Sequence, residues 1–122
     1  MSDPNFIILY VNNPSNSTEF YTKLLGKAPI EASPTFAMFA LDSGVMMGLW
    51  SRHTVEPEAV AMPGSSETAF AVANRAEVDA KYHEWVARGL RIAQTPTAMD
   101  FGHTFVALDP DGHRLRVFAP AT

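Results

Sequence analysis

Apolar and polar positions along the chain alternate between strand-like runs and helical stripes. Residues 6–11 form a nearly continuous apolar run of strand length that is rich in β-forming side chains. Asn13 followed by Pro14 is typical of a helix start, and apolar positions then recur at helical spacing until Gly26. The pattern therefore predicts one strand followed by one amphipathic helix.

A β-hairpin is predicted next. Apolar stretches at 35–41 and 45–50 flank the turn Asp42-Ser43-Gly44, and Pro29 and Pro34 interrupt the chain before them. Residues 51–66 show no sustained period and contain prolines and scattered charges. We therefore expect a surface linker there.

The same order of elements begins again after the linker. A strand is predicted at 68–72, and Asn74 with Glu77 three residues later forms a capping box for a second helix that ends at Gly89. A short strand near 91–94 and a hairpin of 103–108 and 114–118 about the turn at 109–112 complete the order.

Corresponding positions of the two halves recur at a nearly constant spacing, as for Val11 and Val72, Gly26 and Gly89, and Gly44 and Gly112. The sequence thus predicts an α+β fold of two βαβββ modules in one domain, residues 1–122. Module one covers about 5–50, the linker about 51–66, and module two about 67–119. The alternative is an ordinary α+β domain whose halves match by accident.

The composition argues against several classes of binding partner and of catalytic site. The 122 residues carry a net charge of -4 and contain no run of Lys or Arg, which argues against a nucleic-acid partner. The chain has no cysteine, and no apolar stretch approaches the roughly 18 residues that span a bilayer. We expect a cytoplasmic protein with no membrane partner. Nucleophile elbows and phosphate-binding loops are also missing from the sequence.

Two motifs at opposite ends of the chain resemble those of a known superfamily. The first is Leu9-Tyr10-Val11 with the helix segments Ser17-Thr18-Glu19-Phe20-Tyr21 and Leu24-Leu25-Gly26, and the second is Asp109-Pro110-Asp111-Gly112-His113. Together they resemble the vicinal oxygen chelate superfamily of glyoxalases, bleomycin-resistance proteins and extradiol dioxygenases. The resemblance implies that each module forms a half-barrel, that the two enclose a cavity, and that the protein is a homodimer.

Within that superfamily the chain is most similar to the phenazine antibiotic resistance type of binding protein. The similarity lies in Leu49-Trp50-Ser51, in Phe101-Gly102 with Thr104-Phe105, and in the closing turn with Arg116-Val117. It implies an aromatic small molecule as ligand.

The positions at which enzymes of the superfamily bind a metal correspond here to Phe6, Gly48, Glu67 and Arg116. Only Glu67 can bind a cation, and a neighbouring guanidinium both repels a metal and can pair with the carboxylate. We therefore interpret Glu67 and Arg116 as an ion pair, and expect no metal, no cofactor and no catalytic residue.

Period-two alternation places Met46, Gly48 and Trp50 on one face of their strand, and the resemblance turns that face toward the cavity. Gly48 is expected to leave open space there, and Trp50 to offer a flat surface for a planar ligand. His103 is expected to border the cavity, and Phe39, Phe101 and Phe105 to form its opposite wall. The full set of predicted ligand-binding residues is Phe6, Tyr10, Phe39, Met46, Gly48, Trp50, Glu67, Phe101, His103, Phe105, Arg116 and Phe118.

Three hypotheses about function remain open. The first is non-catalytic sequestration of a planar aromatic antibiotic, which would confer resistance. A second is a metal-dependent lyase or oxidoreductase of the glyoxalase or dioxygenase type. The third is an enzyme without metal that uses Glu67, His103 or Arg116.

Overall fold

The computed structural model describes residues 3–121, so both ends of the predicted domain (1–2 and 122) lie outside it. Two compact units divide after Met62, inside the predicted linker. The first unit contains β1 (Phe6–Val11), α1 (Pro14–Leu25), β2 (Glu31–Ala32), β3 (Phe36–Ala40) and β4 (Met46–Ser51). The second unit contains β5 (Glu67–Ala71), α2 (Arg75–Ala87), β6 (Arg91–Met99), β7 (Gly102–Leu108) and β8 (Arg114–Pro120).

Each unit forms one four-stranded sheet with the same topology. The order is β1-β4-β3-β2 in the first sheet and β5-β8-β7-β6 in the second. The first strand of each unit pairs in parallel with the last, and the remaining pairs are antiparallel. The predicted α+β fold of two βαβββ modules is confirmed.

Both helices begin at the predicted caps. The Asn13 side chain accepts a hydrogen bond from the backbone N–H of Asn16 at 3.1 Å, and Pro14 occupies the first turn. The Asn74 side chain accepts from the backbone N–H of Glu77 at 2.9 Å. Gly26, at φ 68, ends α1 in the left-handed conformation that favours glycine.

The core of each unit lies on one side of its sheet. In the first unit Leu9, Val11 and Leu49 are buried together with Tyr21 of α1. The second unit buries Phe105 of β7, whose ring lies 5.3 Å from that of Trp85 and 5.4 Å from that of Tyr82, both on α2. We call this the helix side of each sheet, and the opposite side its open face.

Two strands differ from the sequence prediction. The sequence does not predict the position of β2, because a strand of two exposed residues is too short to show a period. β6 continues to Met99, past the predicted end near Gln94, and contains Pro96. The pairing of β6 with β7 shifts register between Gln94 and Thr97, so Pro96 stands at an irregularity where no regular ladder bond is lost.

No helix within residues 3–121 is long and apolar enough to cross a membrane.

Candidate functional site

The open face of the first sheet carries partly exposed apolar side chains. On β1, Phe6, Ile8 and Tyr10 are 39%, 40% and 43% exposed. Of the alternate residues, Leu9 and Val11 are buried and Ile7, near the start of the strand, is 49% exposed. Alternation continues on β4, which pairs in register with β1, so that Met46, Gly48 and Trp50 share the open face with the exposed β1 residues. The predicted division of these two strands into faces is therefore confirmed.

Gly48 allows two aromatic rings to meet at the centre of this face. A Cβ atom at Gly48 would lie 2.9 Å from Cε1 of Phe6, closer than real Cβ atoms approach, and 3.1 Å from Cε1 of Phe36, which is tighter than most real contacts. The prediction that Gly48 leaves open space is wrong, because the rings of Phe6 and Phe36 fill that space from the neighbouring strands.

Phe36 joins Trp50 to this group. The two residues are register partners on β3 and β4, and their ring centroids lie 6.0 Å apart in an edge-to-face arrangement at 87°. We refer to Phe6, Phe36 and Trp50 as the aromatic platform. Sequence reasoning missed Phe36, because its register with Trp50 on the neighbouring strand is not fixed by any local pattern.

Phe39 does not belong to the open face. Its side chain is fully buried on the helix side, where its register partner Met47 is also buried. The expectation that Phe39 forms a cavity wall is wrong. The cause is the period of two along β3, since Phe36 and Phe39 are three positions apart and must point to opposite faces.

Glu67 and Arg116 form an ion pair on the open face of the second sheet, as predicted from the sequence. Arg116 Nε donates to Glu67 Oε2 at 2.6 Å, and Nη2 donates to Oε1 at 3.3 Å. Arg116 Nη1 donates to Gln94 Oε1 at 3.3 Å and to Thr104 Oγ1 at 3.1 Å. The hydrogen bond from Arg116 lowers the pKa of the Glu67 carboxyl below its ordinary value, against a smaller opposing effect of desolvation.

Two phenylalanines accompany Arg116. Its guanidinium carbon lies 5.7 Å from the ring centroid of Phe101, and the Phe101 ring lies 6.1 Å from that of Phe118 at 76°. Phe101 is 45% exposed. The structure thus brings together four predicted site residues, Glu67, Phe101, Arg116 and Phe118, on this one face.

His103 and Phe105 lie on the helix side of the second sheet. His103 Nε2 is 2.8 Å from Asp79 Oδ1 on α2, and its side chain is only 11% exposed. Phe105 is completely buried against α2. The predictions that these two residues border a cavity are wrong. Thr104, between them, contacts Arg116 on the open face, so its neighbours along the strand must point to the opposite side.

Comparison with known proteins places the chain in a family. Residues 4–117 match the Glyoxalase/Bleomycin resistance protein/Dioxygenase superfamily. The chain belongs to this superfamily. It is 30% identical over 117 residues to the phenazine antibiotic resistance protein EhpR of Enterobacter agglomerans, covering 93% of this chain and 89% of that protein.

Solved structures share the fold. A protein from Agrobacterium tumefaciens, determined by solution NMR, is 54% identical with a TM-score of 0.91, and the match covers 100% of both chains. A glyoxalase/bleomycin resistance protein/dioxygenase from Nocardioides is 28% identical with a TM-score of 0.80, over 98% of this chain and 85% of its own.

The positions that hold a metal in enzymes of the superfamily do not fit a divalent cation here. Phe6 and Gly48 offer no donor atom, Arg116 is cationic, and both carboxylate oxygens of Glu67 accept hydrogen bonds from Arg116. Within residues 3–121, no group of three or more His, Cys, Asp or Glu side chains is placed to hold a metal ion.

Proposed function

We propose that this protein binds a planar aromatic small molecule of the phenazine kind and confers resistance by sequestering it without turnover. The observation that carries the proposal is the aromatic platform of Phe6, Phe36 and Trp50 on the open face of the first sheet. Sequestration requires affinity alone, so a surface of rings without a catalytic constellation suffices for it.

The platform has the physical properties that stacking needs. Its side chains project from paired strands, which hold their positions more rigidly than loops do. Phe6 remains 39% exposed and the neighbouring Tyr10 43% exposed, so a flat ligand would remove apolar surface from water. Ring stacking adds about 0.5–1.5 kcal/mol per aromatic pair beyond the burial of area.

The identity of 30% with a phenazine antibiotic resistance protein supports a role in resistance. The Nocardioides protein is described as a glyoxalase/bleomycin resistance protein/dioxygenase, so a metal-dependent lyase or oxidoreductase is the competing hypothesis. Metal analysis of the purified protein separates the two. A stoichiometric divalent cation that is required for turnover of a bound compound would favour the enzyme.

Fluorescence titration with phenazine tests the proposal directly, because the chain contains two tryptophans. Trp50 is partly exposed on the platform, whereas Trp85 is 4% exposed in the core of the second unit. We expect phenazine to quench the parent protein, and Trp50→Phe, which keeps Trp85 as the internal control, to lose most of that quenching.

Calorimetry then measures the contribution of the indole itself. Trp50→Ala should weaken phenazine binding by about tenfold, since it removes one stacking contact and its buried area. A Trp50→Ala protein that binds phenazine as tightly as the parent would contradict the proposal.

We also propose that the protein forms a homodimer. β1 is an edge strand whose Phe6, Ile7 and Ile8 are 39%, 49% and 40% exposed, an apolar edge of the kind that proteins usually cover. Sedimentation at micromolar concentration should show a dimer, and a monomer there would refute this assembly.

A further inference from the structure

We infer that the aromatic platform prefers a positively charged planar ring system to a neutral or anionic one, and that Glu31, on the same open face, sets part of this preference. The inference deepens the proposed function and rests on it, because it names the charge of the ligand that the platform takes. All of the residues that carry it belong to the first unit.

The strand register places Glu31 on the open face. Glu31 on β2 is the register partner of Met38 on β3, and Met38 is in turn the partner of Gly48 on β4. Residues directly opposite each other in an antiparallel pair project to the same side of the sheet. Phe36 is the diagonal neighbour of Glu31, and such neighbours lie about 7–8 Å apart, within reach of a long side chain. The Glu31 carboxylate is therefore within reach of a ring that stacks on Phe36.

Glu31 supplies the charge of this face. It is the only charged residue in the four strands β1–β4. Its side chain is exposed and makes no ion pair with any residue of 3–121. Because no cation of the described chain neutralises it, the carboxylate attracts a ligand cation. At about 7 Å through water, one such pair of charges changes the affinity by about threefold.

The rings add a second attraction of the same sign. The face of an aromatic ring is electron-rich, and a cation close to it gains about two- to fivefold in affinity at an exposed position. Phe6 is 39% exposed, and Phe36 and Trp50 are half-buried, so ring surface remains accessible to a ligand. The rings and the carboxylate together predict a preference of about tenfold for a cationic ring over a neutral one.

The other charges of the first unit do not reverse this preference. Residues 3–62 contain six Asp or Glu and three Lys or Arg. The two lysines each pair with a carboxylate, at 3.2 Å and 2.7 Å. Arg52 follows Trp50 by two positions and lines a surface cavity together with Glu56 and Glu58. Its charge opposes the preference, so Arg52→Gln should increase it.

Calorimetry at neutral pH with three ligands of one ring system tests the inference. The ligands are phenazine, the cation 5-methylphenazinium and the anion phenazine-1-carboxylate. At about 10 mM salt, we expect the parent to bind the cation about tenfold more tightly than phenazine, and the anion about threefold more weakly. Glu31→Gln should reduce the preference for the cation by about threefold and change phenazine binding by less than about twofold. At about 1 M salt, where charges are screened beyond about 3 Å, the effect of Glu31→Gln should disappear.

Two further variants separate the position of the charge from its mere presence. Glu31→Lys, which suits an exposed edge strand, should reverse the order so that the carboxylate binds more tightly than the cation, and it serves if Glu31→Gln fails to accumulate as folded protein. Glu19→Gln is the matched control, because it removes the same charge from α1 on the helix side of the sheet. The preference of Glu19→Gln should stay within about twofold of the parent value.

Each remaining outcome has a distinct meaning. A parent protein that binds 5-methylphenazinium no more tightly than phenazine overturns the inference and leaves the proposed function standing. The same holds if the preference keeps its parent value in both Glu31→Gln and Glu31→Lys. Failure of the parent to bind any of the three compounds overturns the proposed function, and the charge preference with it.

Discussion

Replacing Gly48 by alanine tests whether the aromatic platform is the binding surface. The added methyl would lie 2.9 Å from Cε1 of Phe6 and 3.1 Å from both Cε1 and Cζ of Phe36. Gly48 is not among the residues with positive φ, so the strand backbone accepts alanine and the conflict is between side chains alone. The two rings must move apart.

The cost to folding should be small. Overpacking a well-packed region costs about 1–3 kcal/mol. Against this, alanine in place of glycine stabilises by about 0.4–1 kcal/mol through the unfolded chain. Phe6 is 39% exposed and its ring can turn toward solvent, which places the cost at the lower end. We expect a net destabilisation of less than about 1 kcal/mol, or less than roughly 4 °C in Tm for a domain of this size.

Ligand binding should suffer more than stability does. Displaced rings no longer offer the ligand the same contacts, so loss of even one stacking contact and part of the buried area predicts about tenfold weaker phenazine binding. Thermal unfolding and calorimetry on the same preparation measure the two effects independently.

Gly44→Ala is the control for nonspecific destabilisation. Gly44 has φ 94 in the β3–β4 turn with nothing within 4 Å of an added Cβ, so alanine there strains the backbone without touching the platform. Such strain costs about 1–3 kcal/mol. Binding by Gly44→Ala should stay within about threefold of the parent. If Gly48→Ala binds phenazine as the parent does, or if both variants lose affinity in proportion to stability, the platform is not the binding surface.

Two further predictions concern the second unit. Phe105→Ala should lower the free energy of unfolding by about 3–5 kcal/mol, because it removes a fully buried ring that packs on Tyr82 and Trp85. Phe101→Ala, at a 45% exposed position, should lower it by about 1 kcal/mol. Urea unfolding measures both, and equal losses would contradict the assignment of Phe105 to the core. Because the pKa of Glu67 is lowered from 4.5 on folding, its ion pair stabilises the protein fully above that pH and loses its effect as pH falls through the lowered pKa. The stability difference between the parent and Glu67→Gln should therefore shrink on acidification below about pH 4.5, and a difference that grows in acid would refute the sign.

Local rules were sufficient to predict most of the fold. Asn13, Asn74 and Gly26 act at the helix ends through contacts with residues a few positions away, so their roles can be seen in the sequence. The period of two also placed the residues of β1 and β4 on their correct faces.

The site was only partly predicted. One omission depends on which strands are neighbours, whereas three misplaced residues follow from a local period that was not applied to them. Phe36 belongs to the platform through its register with Trp50, a pairing that no local pattern fixes. Phe39, His103 and Phe105 were assigned to a cavity by residue type, and the alternation along their own strands places them on the helix side. The pairing of Glu67 with Arg116 was predictable because the resemblance puts both residues at the metal-binding positions of the superfamily, and a carboxylate beside a guanidinium forms an ion pair.

The two modules make equivalent contacts with different chemistry. Phe6 and Gly48 occupy the positions in module one that Glu67 and Arg116 occupy in module two, on parallel strand pairs of the same topology. In each module the side chain on the first strand contacts the equivalent position on the last strand. In module one the Phe6 ring lies against Gly48, and in module two the Glu67 carboxylate pairs with the Arg116 guanidinium. One backbone arrangement thus supports an apolar face and a polar one. Because each contact needs both of its members, single replacements should disrupt a face, and a carboxylate at position 6 would be left without a partner beside Gly48.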